Sequence, residues 1–67
     1  MSEGIKALLA REESKLGRQV DNLAATDAEI DILGDTAARR NKRVRQENAI
    51  ADTKANIKKL KTAVAKL

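Results

Sequence analysis

Ser2, Ser14 and the four threonines Thr26, Thr36, Thr53 and Thr62 are the only hydroxyl groups in the chain, which has no His, Cys or Tyr. A hydroxyl nucleophile needs an imidazole or comparable base beside it, and a structural metal site needs imidazole or thiolate ligands, so neither can be assembled. Ten carboxylates remain. Paired acid catalysts need a desolvated pocket to separate their pKa values, and one or two thin helices build no such pocket. The side chains therefore point away from an enzyme and from any cofactor.

What chemistry is left belongs to charge. The run Arg39-Arg40-Asn41-Lys42-Arg43-Val44-Arg45 sets five cations in seven residues, spread around a helix as phosphate contacts on both sides of a groove would allow. It precedes an apolar heptad at Ile50, Ile57 and Val64, the order of a basic leucine zipper. That zipper is short, however, and the acidic first half would repel DNA. With no aromatic ring, the chain has no platform on which a nucleotide base could stack. Nucleic-acid binding through Arg39, Arg40, Lys42, Arg43 and Arg45 is thus the alternative function, expected to be salt-sensitive and largely non-specific.

Such groups must be carried by helices, because 67 residues without proline and rich in Ala, Leu, Lys, Arg and Glu favour nothing else. The fold class is all-α, a single helical coiled-coil unit over residues 1–67. Residues 1–34 hold four cations against seven carboxylates, a net of −3; residues 35–67 hold ten against three, a net of +7. The acidic and basic halves attract each other.

Two geometries compete. Leu9, Leu16, Leu23, Ile30, Ala37, Val44 and Ala51 form one seven-residue column, which predicts an uninterrupted helix of roughly 100 Å in an oligomer. The column four residues on, Glu13, Val20, Asp27, Gly34, Asn41, Asn48 and Ala55, is half polar, which weakens a uniform zipper. The alternative is an antiparallel hairpin that turns at Gly34-Asp35, since Gly suits the position past a helix end and Asp or Thr caps the next helix.

Near residue 50 the apolar face changes. Ile50, Ile57, Leu60, Val64 and Leu67 make a second stripe, roughly 120–140° around a straight helix from the first, with Lys54, Lys58, Lys59, Lys61 and Lys66 opposite. A packed helix with a solvated lysine face is the favoured reading over a membrane-surface helix, because no Trp or Phe is present as an anchor. The expected interfaces are Leu9, Leu16, Val20, Leu23, Ile30 and Leu33 on one side and the second stripe on the other, with Val44 between them.

Two resemblances follow from these residues. From Leu9 to Val44, including Asp35-Thr36-Ala37-Ala38-Arg39-Arg40, the chain resembles the helical stalk of the murein lipoprotein. That family's lipidated cysteine and peptidoglycan-linked terminal lysine have no counterpart, so its function does not carry over. Glu29-Ile30-Asp31 with Leu33, Ala37, Arg43-Val44, Asn48 and Ala51 is similar to a SNARE motif, which implies a helix of a mixed four-helix bundle, with Thr26 where the family has its central Gln or Arg.

The leading expectation is a structural or assembly coiled coil that binds partner helices, as a homo- or hetero-oligomer, in a larger complex such as a phage or bacterial particle. Ile5, Leu8 and Leu9, interrupted by Lys6, form neither a signal-peptide core nor a membrane span, so a cytoplasmic or virion location is expected.

Overall fold

A computed structural model describes residues 2–67 as two helices, α1 Ser2–Leu33 and α2 Ala37–Ala65, folded back on each other as a hairpin. The single long helix expected from the Leu9 column is thereby replaced by the hairpin alternative. The reason is local. Gly34 adopts φ +102°, a conformation that glycine tolerates and other residues rarely do, and its N–H bonds the Ile30 carbonyl at 3.0 Å to close α1. Thr36 then takes an extended conformation and its hydroxyl accepts from the Arg39 N–H at 3.2 Å, capping α2. No Glu or Gln at Arg39 is needed to complete the cap.

The helix break resets the phase of the pattern. Ala37, Val44 and Ala51, which continue the Leu9 column by number, are all exposed. The two apolar stripes that a straight helix would display on different sides instead face each other: Leu9, Leu16, Leu23 and Ile30 are half-buried, as are Leu60 and Val64, while Ile50 and Ile57 are buried.

The second column of the α1 seam lies three residues on from the leucines, at Ile5, Glu12, Gln19 and Thr26, and each of these is buried or half-buried. Spacing of four and three in alternation is the heptad rule for a helix pair. Polar side chains fill most of that column, which hides it from a search for apolar residues. Thr26 and Thr53 are the most deeply buried side chains, 1% and 2% exposed, and each donates its hydroxyl to the carbonyl four residues back, Asn22 at 3.1 Å and Ala49 at 3.0 Å. That bond lets a β-branched side chain sit in the seam with its one polar group satisfied.

An internal repeat underlies the matching stripes. Residues 18–33 and 45–60 are identical at seven of sixteen positions, with Gln19, Leu23, Thr26, Ile30 and Leu33 answered by Gln46, Ile50, Thr53, Ile57 and Leu60. The offset of 27 residues is one short of four heptads, so counting in sevens along the whole chain steps past it. The molecule is a rod, 49 × 14 × 12 Å between Cα extremes, with a radius of gyration of 15.3 Å where a compact chain of this length has about 11 Å.

Candidate partner-binding faces

Cross-helix contacts fix the register. Glu12 accepts from Asn56 at 3.3 Å, Asp27 lies 2.9 Å from Arg43, and Glu29 lies 3.6 Å from Lys42. In this register Leu16 comes level with Thr53, Leu9 with Leu60 and Ile5 with Val64. The same contacts distinguish the two broad faces of the hairpin, because residues seven apart share a column.

One face is polar. Glu29 shares its column with Leu8, Lys15 and Asn22, and Lys42 shares its own with Ala49, Asn56 and Ala63. Lys15 donates to Glu12 at 3.0 Å, and this bond, helped by the lysine charge and by Asn56, holds the Glu12 carboxyl below its ordinary value against the opposing effect of burial. Leu8 is the exposed apolar residue here.

The other face is aliphatic. Asp27 shares its column with Lys6, Glu13 and Val20, and Arg43 shares its own with Ile50, Ile57 and Val64, so the Arg43 bridge places Val20 on the same side as those three. The row Leu9, Leu16, Leu23 and Ile30 runs between them. Val20 is 47% exposed at the outer edge of this row. Arg43 closes the turn end of the face, because its Nε also meets Glu47 at 3.2 Å.

Of the twelve residues expected at helix interfaces, eight lie in the seam: Leu9, Leu16, Leu23, Ile30, Ile50, Ile57, Leu60 and Val64. Val20, Leu33, Val44 and Leu67 are exposed. Ile5, Glu12, Gln19, Thr26, Gln46 and Thr53 also occupy the seam and were not expected there. For Gln19, Thr26, Gln46 and Thr53 the signal was the 27-residue repeat, since a Thr or Gln that recurs in phase with Ile and Leu marks an inward position.

The basic cluster is largely committed to the hairpin. Arg39 donates to the Leu33 and Gly34 carbonyls, Arg40 pairs with Asp35 at 3.3 Å, Lys42 with Glu29, and Arg43 with Asp27 and Glu47. Among the described residues Arg45 alone of the five makes no ion pair or side-chain hydrogen bond. The unspent charge lies elsewhere. Folding turns the acidic-to-basic sequence into an end-to-end polarity: residues 4–18 and 52–67, at the open end, hold nine cations and three carboxylates, whereas residues 19–51, toward the turn, hold five and six.

Among the described residues no cluster of carboxylates could hold a metal ion, and no helix is long and apolar enough to cross a membrane. No family model, curated protein or solved structure matches the chain.

Proposed function

We propose that the protein is a helical assembly module that binds partner helices through the aliphatic face bearing Leu9, Leu16, Val20, Leu23 and Ile30, as a structural part of a larger complex. The observation that carries this is the incomplete cover of the row: among the described apolar residues only Ile50 and Ile57 are buried, and the leucines beside them stay half-exposed. Half-exposed aliphatic rows flanked by charges are what coiled-coil and bundle partners cover. A mixed four-helix bundle of the SNARE-like kind would use the same face.

A photo-crosslinking side chain at position 20, compared with one at the exposed Ala24, tests the reading in the cells that make the protein. Adducts to protein at position 20 and not at 24 are expected. Equal adducts at both, or none at 20, would end it.

Polyanion binding is the second reading. The cationic open end favours it, with Lys54, Lys58, Lys59, Lys61 and Lys66 as the contacts in place of the Arg39–Arg45 cluster.

A further inference from the structure

We infer that the partner on the aliphatic face is a second copy of this chain, laid antiparallel so that the turn of each hairpin meets the open end of the other. The inference rests on the assembly reading and narrows it to one occupant. Three observations on area, chemistry and charge support it.

The hairpin exposes 4953 Å². A compact monomer of 7.3 kDa exposes about 4,200 Å². The excess, about 750 Å², reflects the rod shape and is comparable to what one partner buries in a standard stable interface. Two hairpins stacked face to face bring the rod to the four-helix cross-section at which an aliphatic row has neighbours on all sides.

The aliphatic row and its flank are self-complementary. In the antiparallel stack each α1 crosses its own copy, with mid-helix residues nearest the two-fold axis. Val20 lies within a turn of the middle of α1, and its column, Lys6, Glu13, Val20 and Asp27, crosses its copy with Val20 beside the copy's Glu13. The flanking column then sets the Lys6 end of one chain over the Asp27 end of the other, and on α2 it sets Glu47 near Lys54. The polar face offers no such row, because Glu12, Lys15, Gln19 and Asn22 interrupt it.

Charge selects the orientation. Stacking with the turns together would superpose two open ends, each carrying six cations in excess of carboxylates over residues 4–18 and 52–67. The antiparallel stack places each over a turn half that is one negative charge from neutral, which removes that repulsion.

Sedimentation equilibrium of the purified chain from 1 to 500 μM tests this. A species of twice 7.3 kDa is expected, with a melting temperature that rises with concentration. Val20→Glu, which sets a carboxylate beside the copy's Glu13 on both sides of the axis, should weaken the dimer more than 100-fold, while Leu8→Glu on the polar face should not. Because Val20→Glu chains could lose helix along with the dimer, cysteine variants provide a second readout, clean because the chain has no cysteine of its own. A chain carrying both Glu13→Cys and Val20→Cys, positions that face each other across the axis, should oxidise to a covalent dimer, and Ala38→Cys at the turn should not. A monomer at every concentration, an equal effect of Leu8→Glu, or cross-linking at Ala38→Cys in preference to the chain with Glu13→Cys and Val20→Cys would overturn the inference. If position 20 forms adducts in cells only with other proteins while the pure chain stays monomeric, the assembly reading survives and the second copy does not.

Discussion

The guanidinium of Arg39 donates to the Gly34 carbonyl at 2.9 Å and to that of Leu33 at 3.3 Å, so the first turn of α2 satisfies the free carbonyls at the end of α1. One side chain thus joins the exit from one helix to the entry of the next. The turn depends equally on Gly34 at φ +102°. An added Cβ meets no neighbour there, so the cost of Gly34→Ala is conformational and amounts to about 1–2 kcal/mol. Thr36→Ala, which removes the N-cap acceptor, should cost about 1 kcal/mol. Thermal melts monitored at 222 nm measure both. A Gly34→Ala chain more stable than wild type would show that one continuous helix, and not the hairpin, is the populated form.

The seam should respond unequally to two substitutions one helical turn apart. Ile57→Ala empties a buried site and should cost about 2–5 kcal/mol, enough to unfold so small a hairpin. Thr53→Val keeps the shape and removes a hydroxyl whose only partner is a helical carbonyl, so stability should stay within about 1 kcal/mol of wild type. Urea titrations discriminate: a loss with Thr53→Val as large as that with Ile57→Ala would mean that the hydroxyl serves something other than its own helix.

Helical class, the position of the turn and most of the α2 stripe were legible in the residues, because Gly34, Thr36 and the Ile50, Ile57, Leu60, Val64 spacing act locally. The choice between one helix and two was not. The Leu9 column continues by number through Ala37, Val44 and Ala51, and the phase reset appears only once Gly34 takes a positive φ. The polar half of the seam was hidden for a different reason. Thr26 and Thr53 satisfy their hydroxyls within their own helices, and Glu12 reaches Lys15 and Asn56, so polar types sit at inward positions where periodicity of apolar residues has nothing to register. Likewise the arginine cluster looked free because its partners Asp27 and Glu29 are brought close only by the fold.

Gln19 and Gln46 occupy equivalent points of the repeat, and the Oε1 atom of each is buried without a hydrogen-bond partner. A buried acceptor left unpaired costs about 1–3 kcal/mol. Gln46→Leu, which extends the aliphatic stripe at Ile50, should therefore raise stability by about 1 kcal/mol. A lower melting temperature in this variant would show that the amide is held by a group outside the single chain.

Glu12 introduces a pH dependence of known sign. Its carboxyl titrates below the ordinary value in the folded chain, chiefly through the Lys15 hydrogen bond, so the contribution to stability is present above the unfolded pKa and is lost as pH falls through the folded one. Glu12→Gln should flatten that part of the acid limb while leaving neutral-pH helicity intact. An acid limb identical in wild type and variant would place the pH dependence on other carboxylates.

Polyanion binding, if it is a property of this chain, should map to the open end. Four of the five cations between Arg39 and Arg45 already meet carboxylates or carbonyls of the hairpin, so their charge is partly offset there. The lysines of the C-terminal half of α2 make no ion pair among the described residues. In a mobility-shift titration with duplex DNA at low salt, changing Lys54, Lys58, Lys59, Lys61 and Lys66 to Gln should abolish the shift, and Arg45→Gln should weaken it only slightly. The salt dependence should also fall, because the slope of log K against log salt scales as about −0.9 per phosphate neutralised and the lysine variant neutralises fewer. Binding that survives the lysine changes and disappears with Arg45→Gln would return the site to the basic cluster. No shift for wild type at low salt would remove nucleic acid from consideration.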